Sequence, residues 1–143
     1  MKCLALFLAF AAPWSHAAAP DPALAGCWRA TRIVLYTQDG SKAEDASGRC
    51  TLRFQDAQME SACRTSSGTA TTTYRYEVVR PQVYAATMAG SSFRTEMVGS
   101  TREYEYRIDG DRLRTVTARP ATEPAAPAVV PRVETEAVRT PCP

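Results

Sequence analysis

The cysteines are the residues whose type and spacing point most directly to chemistry. The chain has five, and four remain if the N-terminus is removed as a leader, as argued below. An even set with no Cys-x2-Cys spacing favours two disulfides over a zinc site. We therefore expect no metal and no cofactor. The four cysteines are Cys27, Cys50, Cys63 and Cys142.

Histidine, the usual base of nucleophilic enzymes, occurs once, as His16 within the predicted leader. Without it the chain has no Ser-His-Asp triad, Cys-His dyad or His-containing zinc site. Glu103 and Glu105 resemble a carboxylate pair, but they alternate with tyrosines on a face opposite Arg114, which indicates a solvated, charge-paired surface. The sequence therefore predicts that the protein is not an enzyme.

The N-terminus has the pattern of a secretory signal. A positive start precedes an apolar run over 3–12 that is too short to cross a bilayer, and Ser15-His16-Ala17 supplies a small-x-small cleavage pattern. We expect residues 1–18 to be removed as a signal peptide. No other apolar stretch is long enough to span a membrane, so we predict a periplasmic or secreted protein without a membrane span.

A competing interpretation is lipidation at Cys27. The segment Leu24-Ala25-Gly26-Cys27 resembles a bacterial lipobox. However, eleven residues separate it from the apolar run, and one of them is the charged Asp21. Lipidation would also leave an odd number of free cysteines. The lipoprotein is kept as the alternative to a signal peptide.

From residue 27 to residue 118, β-branched and aromatic residues alternate with charged ones in short runs separated by turn residues. This pattern predicts an all-β domain over 24–118, built as an eight-stranded antiparallel up-and-down meander. Closure into a barrel would remove the unpaired edges, but a half-barrel or a two-sheet sandwich stays open because turns fix only neighbours. The predicted strands are 27–38, 49–55, 58–65, 72–79, 83–88, 93–98, 102–108 and 111–118.

Turn positions predict which residues oppose each other and therefore share a face. They place Phe93, Met97, Tyr104 and Leu113 in one interior, with charged residues facing water. The predicted pairs are Phe54–Met59 and Leu52–Ser61; Val78–Tyr84, Tyr76–Ala86 and Tyr74–Met88; Met88–Phe93 and Tyr84–Met97; Met97–Tyr104, Thr95–Tyr106 and Phe93–Ile108; and Tyr106–Leu113 and Tyr104–Thr115. The predicted outward residues are Arg53, Glu60, Arg64, Arg75, Glu77, Arg94, Glu96, Glu103, Glu105, Arg107, Arg112 and Arg114.

The same reasoning assigns the disulfides. A turn at 56–57 places Cys50 opposite Cys63, close to disulfide reach. Cys27 is then left to bond Cys142, which closes a far longer loop and should stabilise the fold more.

The C-terminal segment 119–143 differs in composition from the strands. Six of the ten prolines fall in the last 24 residues, amid alanine, valine and glutamate. Such a segment cannot build its own core. We predict a Pro/Ala-rich tail, extended or loose and pinned at Cys142.

Gly26-x-Trp28 followed by a β-meander resembles the start of lipocalins and of small lipocalin-like bacterial envelope proteins. The resemblance covers 24–118 and implies a barrel or half-barrel, sometimes with a cavity for an apolar ligand. It also implies that Trp28 plugs the closed end against a late basic residue, for which Arg112 or Arg114 could serve. A weaker resemblance is to secreted metalloprotease inhibitors, barrels that share this start and a disulfide across an early hairpin.

The inward tyrosines carry the functional prediction. A dry core prefers Leu, Ile and Val because each buried phenol needs a hydrogen-bond partner. So many inward hydroxyls therefore predict a partly polar cavity, although a compact core with hydroxyls at the barrel mouth is the alternative. The predicted ligand-binding residues are Tyr74, Tyr76, Tyr84, Met88, Met97, Tyr104 and Tyr106.

The predicted function is a secreted or periplasmic, lipocalin-like binding module for a small, partly apolar ligand. One alternative is an inhibitor of a secreted hydrolase that acts through an arm over 18–25 or through the tail. Another is an envelope assembly or scaffold protein. A net charge of +2, from 17 Lys and Arg against 15 Asp and Glu, predicts no nucleic-acid partner, so the expected partner is a small molecule or an exported protein.

Overall fold

A computed structural model describes residues 20–118 and 132–143; the predicted leader over 1–18 lies outside them. The described chain is all-β apart from one short 3-10 helix. No helix within these two segments has the length and apolar character needed to cross a bilayer. The elements are β1 (Gly26–Tyr36), β2 (Lys42–Asp45), β3 (Cys50–Gln55), β4 (Gln58–Thr65), β5 (Gly68–Arg80), β6 (Val83–Ser91), the 3-10 helix (Thr95–Met97), β7 (Thr101–Asp109), β8 (Arg112–Thr117) and β9 (Arg132–Thr140).

Eight of these strands close into an antiparallel barrel. Strands β3 to β9 pair in sequence order, β1 pairs with β3 along one edge, and β9 returns to pair with β1 along the other. Strand β2 is an addition outside the barrel: it pairs with the second half of β1, at Ile33 to Tyr36. The predicted eight-stranded barrel is confirmed, and closure excludes the half-barrel and the sandwich.

The closing strand comes from the segment predicted to be a tail. Residues 132–140 form β9, which pairs with β8 and with β1. Its Thr135 and Ala137 are buried while Glu136 is exposed, the alternation typical of a half-buried strand. The tail prediction was wrong for this stretch because the surrounding prolines masked a short alternating run; residues 119–131 lie outside the described residues.

The predicted strand over 93–98 is absent. Strand β6 instead pairs directly with β7, placing Tyr84 opposite Tyr104 rather than Met97. Residues 92–100, here called the mouth loop, leave the sheet because the Ser91 hydroxyl accepts hydrogen bonds from the backbone N–H groups of Phe93 and Arg94, at 3.3 and 3.0 Å. Such local bonds compete with strand pairing. The predicted pairs Met88–Phe93, Met97–Tyr104, Thr95–Tyr106 and Phe93–Ile108 are therefore wrong.

Two other hairpins have the predicted register, and a third keeps the predicted faces with a shifted register. The β3–β4 pairs Phe54–Met59 and Leu52–Ser61 are confirmed, as are all three predicted pairs between β5 and β6. The β7–β8 hairpin turns one residue later than predicted, which shifts its pairs by two residues, so that Leu113 opposes Ile108 rather than Tyr106. Since side chains alternate with a period of two, this shift leaves every residue on its predicted face.

A β-bulge in β1 changes which side chains reach the interior. The pairing with β9 slips between Ala30 and Arg32, and the hydroxyl of the intervening Thr31 donates to the Glu136 carbonyl at 3.1 Å. An inserted residue reverses the inward and outward faces beyond it. Trp28 therefore faces the core before the bulge, whereas Ile33 faces the interior after it.

Both predicted disulfides are present. Cys50 and Cys63 are joined across the β3–β4 hairpin, with Cα atoms 4.0 Å apart. Cys27 is joined to Cys142, with a Cα separation of 5.2 Å, and is 1% exposed. A lipid on the Cys27 sulfur and the Cys27–Cys142 bond exclude each other. The two bonds indicate an oxidising, extracytoplasmic environment.

Candidate functional site: a cavity at the open end of the barrel

The two ends of the barrel differ. At one end, here called the closed end, the N-terminal turn over 20–25 folds under the strands and Leu24 and Trp28 are fully buried. Phe54 packs edge-on against Tyr76 and Tyr84, with ring centroids 5.3 and 5.7 Å apart, a favourable arrangement of aromatic rings. The closed end is therefore a packed aromatic core.

The opposite, open end contains a cavity of about 260 Å³. Most of its surface is apolar, and its polar groups come from tyrosine, threonine, serine and two arginines. It reaches solvent beside the mouth loop, where the lining residue Phe93 is 55% exposed. The lining residues are Ile33, Leu35, Leu52, Met59, Ser61, Cys63, Thr72, Tyr74, Tyr84, Ala86, Met88, Phe93, Arg94, Met97, Ser100, Arg102, Tyr104, Thr115, Val133 and Thr135.

Five of the seven predicted ligand-binding residues line this cavity. They are Tyr74, Tyr84, Met88, Met97 and Tyr104. Tyr76 and Tyr106 face the same interior but belong to the core of the closed end, where they are 4% and 6% exposed. They are packing residues, because alternation predicts the face of a strand and not the height along the barrel.

The closed end is fastened by polar contacts as well as by packing. The Tyr106 hydroxyl donates a 2.6 Å hydrogen bond to the Asp21 carboxylate, and the Trp28 indole N–H donates to the Leu24 carbonyl at 2.9 Å. Burial, followed by this bond to Asp21, raises the pKa of Tyr106 far above its usual value. The N-terminal turn thus closes this end of the barrel and does not protrude. Residues 20–25 therefore do not form the described part of the predicted inhibitory arm over 18–25.

The basic residue that packs on Trp28 is Arg139 of β9, not Arg112 or Arg114. Its guanidinium carbon lies 4.1 Å from the ring centroid, within the range of a cation–π contact. The same guanidinium donates to the carbonyls of Ala25 and Ala23, at 3.0 and 2.9 Å. Arg139 lies in the region interpreted as a tail, which is why sequence reasoning overlooked it.

The cavity tyrosines are held neutral. Burial raises the pKa of Tyr84 well above its usual value, and the Thr115 hydroxyl acts in the opposite direction. Burial also raises the pKa of Tyr74 and Tyr104, while the positive charges of Arg94 and Arg102 act in the opposite direction on both. The cavity wall therefore offers neutral hydroxyls beside two cationic groups.

The mouth loop covers part of the opening. Its base is fixed to β6, where the Met88 N–H donates to the Ser100 carbonyl at 2.9 Å and the Gly99 N–H donates to the Met88 carbonyl at 2.8 Å. Gly99 has φ +91°, a conformation that favours glycine. Met97, expected on a strand, lies in the 3-10 helix and still lines the cavity.

Sequence reasoning missed three groups of lining residues. Ile33 and Leu35 face inward only because of the bulge, and Val133 and Thr135 belong to the unpredicted β9. The lining residues Arg94 and Arg102 were also not predicted. Arg94 was predicted on the outer face and instead lines the mouth. Arg102 shares the inward alternation of Tyr104 on β7, a signal present in the sequence.

Comparison with known proteins shows a similarity of fold and no family relationship. No protein-family model matches the sequence, and no curated protein matches it significantly. A lipocalin-like protein from Bacteroides uniformis aligns over 82% of this chain and 99% of its own, with 12% identity and a TM-score of 0.53. A protein from Bacteroides eggerthii aligns over 81% of this chain and 98% of its own, with 10% identity and a TM-score of 0.51.

These likenesses support the lipocalin-like part of the expected resemblance and give no support to the metalloprotease inhibitors. They rest on strand topology rather than on the three-residue Gly-x-Trp pattern. The described chain therefore has the fold of a closed, eight-stranded, lipocalin-like barrel.

Proposed function

We propose that this chain is an exported binding protein that holds a small, partly apolar ligand in the cavity at the open end of its barrel and catalyses no reaction. The carrying observation is the cavity itself, about 260 Å³ and walled by methionine, aliphatic and tyrosine side chains. Ligand sites of proteins are mostly apolar pockets of about 300 to 1,000 Å³ with a few placed polar groups. The volume here fits a ligand at or below the small end of that range.

The difference between the two barrel ends supports binding over a purely structural role. The closed end is filled by aromatic rings in edge contact and sealed by the N-terminal turn. The open end uses tyrosines and methionines from the same strands, yet leaves space between them. Well-packed interiors contain few voids larger than a water molecule, so a cavity of this size at the open end favours a site.

Filling the cavity provides a matched test. Ala86 faces the cavity from β6 and is 3% exposed, whereas its neighbour Ala85 points away from it. We expect the wild-type protein and Ala85→Phe to bind the neutral dye Nile red with a blue-shifted, enhanced emission. We expect Ala86→Phe to lose this signal while keeping the circular dichroism spectrum of the wild type. Equal binding by all three proteins, or by none, would contradict the proposed site.

Export is tested separately. The proposal combines the predicted signal peptide with two disulfides that need an oxidising compartment. The mass of the protein recovered from a periplasmic extract or the culture medium should correspond to a chain beginning at residue 18 or 19, with four oxidised cysteines. A retained leader, or a lipid on Cys27, would refute this part.

A further inference from the structure

The cavity has a marked charge asymmetry. Arg94 of the mouth loop and Arg102 of β7 both belong to its lining, and no Asp or Glu is among the described residues that line it. Neither guanidinium takes part in the ion pairs formed within the described segments, which involve other basic residues. The cavity therefore carries two positive charges that its own wall does not neutralise.

These charges lie at one place rather than being spread over the wall. The pKa values of Tyr74 and Tyr104 are raised chiefly by burial, and Arg94 and Arg102 each lower both of them. The strand register places both arginines near these tyrosines. Arg102 precedes Tyr104 by two residues on the same face of β7, and Arg94 belongs to the loop whose base is bonded to Met88, the residue opposite Tyr74. Arg102 follows the inward alternation of β7 and is half-buried, while Arg94 is exposed and lies over the ring of Phe93 at 5.1 Å.

Part of the apolar lining belongs to the packed core of the closed end. Leu52 and Met59, each 8% exposed, line the cavity. Leu52 lies opposite Trp28 and Met59 opposite Phe54, so both join the cavity to the aromatic core. A ligand that satisfied both regions would need a compact apolar body and a negatively charged end. Guanidinium groups bind carboxylates through charge-assisted hydrogen bonds, and neutral phenols can donate further ones.

We propose that the ligand is an anionic amphiphile whose apolar body occupies the barrel and whose carboxylate lies between Arg94 and Arg102 beside the tyrosine hydroxyls. This inference rests on the proposed function, because it assigns a ligand class to the same cavity. It also predicts something that ligand binding alone does not: of two ligands with the same hydrocarbon body, the one with a negatively charged head group binds more tightly than the neutral one.

Decanoate and decanol test the head group, because they share one apolar body and differ at its end. Isothermal titration calorimetry on the folded protein should give a dissociation constant roughly tenfold lower for decanoate, the size expected of a hydrogen bond to a charged group. In the double variant Arg94→Gln/Arg102→Gln this preference should vanish while decanol affinity stays unchanged. Arg107→Gln, a substitution on the outward face of β7, is the matched control and should keep the full preference.

The outcomes separate the inference from the function beneath it. Decanol binding as well as or better than decanoate to the wild type overturns the anionic ligand but leaves a binding cavity. A preference that survives the double substitution overturns the roles of the two arginines. Binding of neither compound overturns both the ligand class and the proposed function.

Discussion

Removing the two disulfides one at a time gives a quantitative test of how the barrel is held closed. The Cys27–Cys142 bond encloses a separation of 115 residues, and the Cys50–Cys63 bond only 13. If disulfides act by restricting the unfolded chain, these loops correspond to about 5 and about 3 kcal/mol of stabilisation at room temperature. The variant Cys27→Ala/Cys142→Ala should therefore lose about 2 kcal/mol more than Cys50→Ala/Cys63→Ala.

Urea unfolding followed by circular dichroism measures this difference directly. With a typical slope of about 2 kcal/mol per molar urea, the two variants should differ in midpoint by about 1 M. Packing works against the prediction. Each bond has one buried cysteine, Cys27 or Cys50, but Cys142 is exposed whereas Cys63 is half-buried, so the hairpin variant loses more packing. Equal losses, or a larger loss for the hairpin pair, would refute the chain-entropy argument.

Three further predictions concern the closed end and the buried phenols. Arg139→Ala should lower the free energy of unfolding by about 2 kcal/mol, because the cation–π contact and two hydrogen bonds are lost. The control Arg112→Ala, at an exposed position, should change it by less than about 0.5 kcal/mol. Equal effects of the two substitutions in urea unfolding would contradict the role of Arg139. Tyr106→Phe should cost about 1 to 2 kcal/mol because the Asp21 carboxylate loses the hydrogen bond to one of its oxygens. Tyr76→Phe should be neutral or stabilising because the Tyr76 hydroxyl is buried without a partner among the described residues; a costlier Tyr76→Phe would reverse this assignment. The raised pKa of Tyr84 contributes stability that is full below its usual value of 10.0 and is lost as pH rises through the folded pKa. Burial raises the pKa of five of the six tyrosines, so most of the tyrosinate absorbance should appear together with the loss of circular dichroism; more than one tyrosinate per chain forming near pH 10 in a fully folded protein would disprove the burial.

Local sequence signals predicted the fold wherever a hairpin specified its own register. The pairs across 56–57 and 81–82 are confirmed, and with them the Cys50–Cys63 bond, because a short turn and alternating faces leave one arrangement. Two elements needed information from distant parts of the chain. Strand β9 forms because β1 and β8 both offer it an edge. The mouth loop is left out of the sheet because β6 pairs beyond it with β7, in addition to the local bonds to the Ser91 hydroxyl.

The site followed the same division. The alternation of apolar and charged residues correctly predicted that Tyr74, Tyr84 and Tyr104 face the interior. It could not separate a packed end from an open one, since Tyr106 alternates in the same way and yet bonds Asp21 in the N-terminal turn. The residues that face inward because of the bulge in β1, and those of β9, depend on pairing between distant strands, which a local sequence pattern does not predict.

The methionine methyl groups test the central claim most directly, because every methionine outside the predicted leader lines the cavity. These are Met59, Met88 and Met97, and their methyl signals can be followed by nuclear magnetic resonance in protein labelled only at methionine. Addition of decanoate should shift all three signals together along one saturating curve. Signals that stay fixed at saturating ligand, or a shift at Met97 of the mouth loop alone, would show that the barrel interior does not take the ligand.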